Sequence, residues 1–141
     1  MNLFKLALVF LVGILAACSK QEPLTALDRA VLQLEQAISE RQTGKAAELL
    51  HEDFASHSGM DKREARQTMT GMFLRYKNVG LLVIGRDCQL DKGFYDRGHC
   101  TARVGVSGAQ GLIPERAELY QVQTTWQLNG KEWRLLSIQW Q

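Results

Sequence analysis

Two histidines and an aspartate lie close together in the first half of this 141-residue chain, in the order His51, Asp53 and His57. Imidazole and carboxylate groups at short spacing could bind a metal ion. The string lacks the two histidines four residues apart that would place both ligands on one face of a helix. We therefore expect these residues to be solvated at a helix end and loop, with Asp53 accepting from nearby backbone donors. We expect no metal and no other cofactor.

Arg86 shares the strand parity of Leu82, Ile84 and Cys88, so alternation predicts that its guanidinium points to the inner face of a sheet. A guanidinium that leaves water needs a carboxylate or an anionic ligand as its partner. Asp53 and Glu118 are the acids that we consider for this role. Arg134 is open to the same two interpretations.

His99 has the opposite parity from Cys100, which places it on the outer face unless a bulge near Gly98 intervenes. Proton-transfer catalysis requires an acid or base whose pKa is tuned by a pocket. The chain offers no convincing acid and base pair, which weighs against an enzyme. An isomerase or hydrolase would require at least two of Arg86, His99 and Asp53 to meet in one cavity.

The N-terminus carries the pattern of an export signal. Lys5 is followed by an unbroken apolar run, Leu6 to Ala17, which is too short for a permanent membrane span. Residues 15–18, Leu-Ala-Ala-Cys, resemble the lipobox of bacterial lipoproteins, which implies cleavage before Cys18 and a diacylglycerol on its sulfur. Ser19 then favours the outer membrane, facing the periplasm. An ordinary secretory signal with a chance cysteine is the alternative.

The two other cysteines, Cys88 and Cys100, would enter an oxidising compartment after export, where a disulfide is expected. Two buried thiols are the alternative, and neither cysteine has the spacing of a redox or zinc site. With 17 basic and 15 acidic residues and no basic run, nucleic acid is not an expected partner. The length after the signal fits one compact domain.

Periodicity predicts three helices and then strands. A first helix starts near Thr25 and ends before Gly44, a second carries Ala46 to Leu50, and a third starts at Asp61, which with Glu64 has capping-box spacing. From Leu81 the period becomes two. The predicted strands form a hairpin around residues 91–97 and a second hairpin that turns at Asn129-Gly130. This order predicts an α+β fold with three N-terminal helices on a curved antiparallel sheet of about four strands.

The order of elements and the run AAELLHEDFASHSGMDKREARQTMTGMF resemble the NTF2-like superfamily, which includes SnoaL-like and ketosteroid-isomerase-like domains. Leu50 followed by Asp53-Phe54, and Trp133-Arg134 in the last strand, carry the resemblance. It implies a cone that encloses an apolar pocket, used in different members for catalysis, binding or dimerisation. We divide the chain into a signal peptide (1–17), the lipidated cysteine with a short tether (18–24) and an NTF2-like domain (25–141).

Six residues on predicted apolar faces are candidates for the pocket wall: Phe73, Tyr76, Arg86, Tyr120, Trp126 and Trp140. Together with the missing acid and base pair, they favour a non-catalytic domain that binds a small apolar or amphipathic ligand at the membrane surface. A protein-interaction or inhibitor module of the envelope is the first alternative, and an isomerase or hydrolase the second. A homodimer is a further possible partner arrangement.

Overall fold

The computed structural model describes residues 22–78, 80–107 and 119–141, so that the predicted signal peptide, Cys18 and Glu118 lie outside the described residues. The elements in chain order are α1 (Glu22–Ser39), α2 (Thr43–Glu48), β1 (Leu50–Ser56), α3 (Lys62–Arg75), β2 (Gly80–Asp91), β3 (Phe94–Ser107), β4 (Leu119–Asn129) and β5 (Glu132–Trp140). The strands form one sheet in the order β1-β5-β4-β3-β2. The predicted α+β class is therefore confirmed. In the part of the chain that is described, no helix is long and apolar enough to cross a bilayer.

Helix α1 lies on the inner face of this sheet because one side of it is apolar. Its buried residues recur at helical spacing and include Leu27, which is fully buried, and Leu34. The helix starts at Glu22, before the predicted Thr25, and it ends at Ser39. Arg41 turns the chain with a positive φ of 56°, so the helix stops well before Gly44, which instead lies within α2.

Strand β1 is a correction to the prediction of a helix end and loop around His51 and Asp53. β1 lies at the edge of the sheet and runs parallel to β5, so the sheet has one strand more than the four predicted. The register shifts between Leu50 and Ala55, and Glu52 is exposed although it has the parity of the buried Leu50, Phe54 and Ser56. A pattern search for period two therefore misses it.

Helix α3 has the predicted capping box. Asp61 Oδ1 accepts from the Glu64 backbone N–H at 2.8 Å, and the Glu64 carboxylate accepts from the Asp61 N–H at 3.0 Å. The helix ends at Arg75, and the backbone N–H of Tyr76 still donates to Met72 O at 2.8 Å. α3 packs against α2 and β1 rather than over the centre of the sheet.

Both predicted hairpins are present. β2 and β3 are joined through Lys92 and Gly93, and Gly93 has φ 87°. β4 and β5 are joined through Gly130 and Lys131, one residue later than predicted, since Asn129 still pairs with Glu132. The positive φ falls on Gly130 alone, at the first loop position, where a type II′ turn requires glycine.

A bulge at Gly85 reverses which residues of β2 face inward. Gly85 has φ 65°, and the register with β3 shifts between Ile84 and Asp87. Leu81 and Val83 therefore lie on the inner face together with Arg86, whereas Leu82 is 59% exposed. The predicted inward position is right for Arg86 and wrong for Leu82, because simple alternation does not allow for the extra residue.

The predicted disulfide is present. Cys88 and Cys100 lie directly opposite each other on β2 and β3 and are joined by an S–S bond. Cys100 is buried in the same core as Trp126 and Leu135. The bond thus ties an edge strand to the interior of the sheet.

Candidate functional site

An apolar cavity of about 180 Å³ lies between the second half of α1 and the inner face of β2 to β5. Two of its walls come from α1 and from the bulged strand β2, so the Gly85 bulge decides which residues of β2 reach it. The lining residues are Val31, Leu34, Glu35, Ile38, Leu81, Val83, Arg86, Cys100, Ala102, Val104, Val122, Thr124, Trp126 and Ile138. Most are aliphatic, as in small-molecule sites.

Glu35 and Arg86 are the charged residues in this wall, and they bind each other. The Arg86 Nη1 donates to Glu35 Oε1 at 2.9 Å and to Oε2 at 3.0 Å. The two side chains are 24% and 25% exposed, so the pair lies at the boundary between the cavity and water. Charge-assisted bonds of this kind are stronger than neutral ones. The acid that neutralises Arg86 is therefore Glu35, and not Asp53, which we considered from the sequence.

The other polar groups of the wall are satisfied within the protein. The Trp126 indole N–H donates to Thr124 Oγ1 at 3.0 Å, and that hydroxyl donates to Cys100 O at 3.3 Å. Arg86 differs, because both of its hydrogen bonds use Nη1. Among the described residues no acceptor is bonded to its Nε or Nη2.

Arg86 and Trp126 are the two predicted wall residues that line the cavity. Phe73 and Tyr76 lie at the C-terminal end of α3, which packs on β1 and α2, and neither lines it. Tyr120 pairs with Val104, but it lies at the start of β4 and is 39% exposed. Trp140 ends β5, is also 39% exposed, and lies with its ring centroid 6.3 Å from that of His57.

The three residues of the histidine string lie on or next to β1, away from the cavity. His51 Nδ1 accepts from the Asp53 backbone N–H at 3.0 Å, and the Asp53 side chain is 88% exposed. The local acceptor is thus the imidazole, where we expected the carboxylate. Within residues 22–78, 80–107 and 119–141, no group of three or more histidine, cysteine or acidic side chains is arranged to hold a metal ion.

His99 is exposed, as parity predicts. Its Nε2 lies 3.7 Å from Asp91 Oδ2, and its Nδ1 lies 3.3 Å from Thr125 Oγ1. An isomerase or hydrolase would require at least two of Arg86, His99 and Asp53 to meet in one cavity, and of these Arg86 alone lines it.

A larger cleft of about 510 Å³ lies between α2, β1 and α3 and is lined mainly by charged side chains. Lys62 donates to Glu52 there at 2.5 Å, and this hydrogen bond and the ammonium charge lower the pKa of the Glu52 carboxyl. Glu52 is 83% exposed, and most of the lining is charged, so the cleft suits an apolar ligand less well than the smaller cavity does. We therefore place the candidate site in the smaller cavity.

Comparison with known proteins supports the fold. No family model matches the chain, and no curated relative matches it. An NTF2-like protein from Cytophaga hutchinsonii superposes with a TM-score of 0.66 over 86% of this chain and 98% of that one, at 13% identity. The fold is NTF2-like.

Other solved structures superpose on this chain equally well. A candidate NTF2-like dehydratase from Streptomyces avermitilis has a TM-score of 0.69 at 11% identity and covers 82% of this chain and 92% of that chain. Bd1075 of Bdellovibrio bacteriovorus has a TM-score of 0.68 at 11% identity, but this chain spans only 39% of its length. The superpositions establish a shared fold. At identities this low they do not establish a shared function, which must be argued from the site.

Glu35 is the charged wall residue of this NTF2-like domain that the sequence prediction missed. It follows Val31 by one helical turn and lies between Leu34 and Ile38 on the apolar side of α1. An acid on an otherwise apolar stripe was the available signal. Its helical spacing by itself predicts only core packing.

Proposed function

We propose that this protein is a lipid-anchored envelope protein whose NTF2-like domain binds a small, mainly apolar ligand in the cavity beneath α1. The observation that carries the proposal is an aliphatic cavity with a single arginine whose Nε and Nη2 are unbonded within the described chain. Its volume indicates the ligand's size. An apolar cavity of about 150 Å³ can hold benzene, so about 180 Å³ suits one ring or a short alkyl chain.

Arg86 and Glu35 suggest that this ligand has a polar end. The Nε and Nη2 N–H groups of Arg86, which have no acceptor among the described residues, can donate to a carbonyl, hydroxyl or carboxylate oxygen of the ligand. The ring or chain would then replace water against Val83, Ala102 and Trp126. Because Glu35 already neutralises the guanidinium, the wild-type site has little net charge. It should therefore accept a neutral acceptor such as an amide or ketone nearly as well as an anion.

The lipid anchor is the other half of the proposal. It is supported by the Lys5 charge, the apolar run that follows it and the lipobox-like residues that end at Cys18. The several acyl chains of a mature lipoprotein would hold the domain at the membrane. Ser19 favours the outer membrane. Mass spectrometry of the N-terminal peptide tests this, with a Cys18→Ser variant as the unlipidated control.

The ligand proposal is tested by native mass spectrometry of the full chain released gently from its own envelope. We expect a small-molecule adduct on the wild type. Ala102→Leu, which extends a side chain into the cavity, should lose the adduct, whereas Thr101→Leu should keep it because Thr101 faces outward on the same strand. An adduct that survives Ala102→Leu, or a wild type that never carries one, would remove the support for this cavity.

A protein-interaction module is the second candidate, and two exposed leucines favour it. Leu82 is 59% and Leu119 43% exposed, and both lie against Gly105 on the outer face of the sheet. Exposed apolar side chains grouped in this way are typical of contact surfaces. The same mass spectra test this candidate, because a homodimer or a protein adduct that is lost in Leu82→Ser would support it.

A further inference from the structure

The tip of the β2–β3 hairpin, residues 91–97, exposes two aromatic side chains. Phe94 is 65% exposed and Tyr95 is 66% exposed, although both belong to a strand. The register with β2 shifts between Leu90 and Asp91, so β2 does not pair regularly with this part of β3. Adjacent exposed aromatic residues at the end of a hairpin are costly in water unless another surface covers them.

The hairpin tip lies at the end of the domain where α1 begins. Cys100 of β3 lines the cavity together with Val31 of α1. Gly98, two residues closer to the hairpin tip, lies against Leu27, which is nearer the start of α1. The N-terminal part of β3 therefore lies near the start of α1. The opposite end of β2 confirms this direction, because Leu81 lies beside Ser39 at the end of α1.

The chain between Cys18 and this end of the domain is short. α1 begins at Glu22, and four residue steps extend at most about 14 Å. Acyl chains on Cys18 would therefore hold the start of α1 close to the bilayer surface. The hairpin tip faces the same region.

We propose that the hairpin tip contacts the phospholipid bilayer that holds the lipid on Cys18, with Phe94 and Tyr95 in the headgroup region. This inference rests on the lipid anchor of the proposed function. Aromatic side chains favour the membrane–water interface, where an apolar ring and a hydroxyl can both be accommodated. Charge is not the attraction, because Asp91 and Asp96 balance Lys92 and Arg97 within the tip. The contact would fix the orientation of the domain on the bilayer. The start of α1 would then lie at the membrane, and the cavity beneath the second half of α1 would lie farther from the tip.

The test uses the full lipidated chain in vesicles of phosphatidylethanolamine and phosphatidylglycerol, some of which carry bromine on their acyl chains. Phe94→Trp places a fluorophore at the tip, and wild-type emission from the native tryptophans is subtracted. Leu74→Trp is the matched control, because Leu74 is 76% exposed. It also lies near the other end of α1, since the carbonyl of nearby Lys77 accepts from Arg41, just beyond the last residue of α1. α1 has 18 residues and is about 27 Å long, so the two sites lie toward opposite ends of this helix.

We expect brominated lipid to reduce the emission added by F94W about twofold and to leave that of L74W unchanged. Vesicle flotation is measured on the same samples. If the protein floats and F94W is not quenched more than L74W, the contact is refuted while the anchor stands. If the protein does not float, the anchor fails and this inference fails with it. F94W emission that is shielded from aqueous acrylamide but not quenched by brominated lipid would mean that a protein covers the tip, which also overturns the proposal.

Discussion

Arg86 and Glu35, 51 positions apart in the chain, meet at the wall of the cavity, where one guanidinium nitrogen donates to both carboxylate oxygens. The pair connects the bulged edge strand to the helix that covers the sheet. It also decides the charge that a ligand meets. Both consequences can be measured separately.

The first prediction concerns stability. Arg86→Met leaves Glu35 partly buried without its partner, and we expect a loss of about 1–2 kcal/mol in the free energy of unfolding, between the values for exposed and fully buried pairs. Urea unfolding measures it. Arg134→Met is the matched control, because its partner Glu132 is 69% exposed, and it should cost about 0.5 kcal/mol or less. Equal losses in the two variants would show that the Arg86 pair behaves as an ordinary surface pair.

The second prediction concerns ligand charge. Glu35→Gln leaves the Arg86 charge uncompensated, so we expect benzoate to gain about tenfold in affinity relative to benzyl alcohol. Arg86→Met removes the cation, so in that variant we expect no preference for benzoate over benzyl alcohol. Calorimetry with each ligand and variant measures the ratio. A ratio that stays the same in all three proteins would mean that ligands do not reach the pair, even if the cavity binds them.

Much of the fold could be predicted because its signals are local. The capping residues of α3, the apolar stripe of α1 and the alternation of β4 each depend on neighbours in sequence. The disulfide between Cys88 and Cys100, expected because an exported chain enters an oxidising compartment, is present. The hairpin at Gly130 was one residue off, because a type I′ and a type II′ turn place their glycine differently.

The parts that could not be predicted depend on partners distant in sequence. β1 pairs with β5 at the sheet edge with an irregular register, and the charged Glu52 interrupts the alternation of its residues. The Gly85 bulge is set by the pairing of β2 with β3, and it moved Leu82 outward. Glu35 can be recognised in the sequence as an acid on an apolar stripe. Its partner Arg86 cannot, because the two residues meet only where α1 packs across β2.

The third prediction concerns pH. The hydrogen bond and charge of Lys62 lower the pKa of Glu52, so the unfolded chain binds a proton at Glu52 more readily than the folded one. The stabilisation is complete above the ordinary carboxyl pKa and is lost as the pH falls through the lowered one. Lys62→Met should return the Glu52 pKa toward its ordinary value in a carboxyl NMR titration. Arg63→Met, one residue along the same helix, should leave the Glu52 titration unchanged, and a shift as large as that in Lys62→Met would point to the general helix charge.

The last prediction concerns the bulge that positions Arg86. Gly85 has φ 65°, which costs a residue with a Cβ about 1–2 kcal/mol, so Gly85→Ala should destabilise the protein by that amount. Apart from its two chain neighbours, no described residue has an atom within 4 Å of the added methyl, so the cost is one of backbone conformation. Gly71→Ala is the counterpart, because Gly71 lies within α3, has open space around it and should gain about 0.5–1 kcal/mol. Urea unfolding of both variants gives the two signs. If Gly85→Ala proved neutral, the backbone at the bulge could relax to ordinary pairing, and Arg86 would then be expected to leave the cavity and lose Glu35.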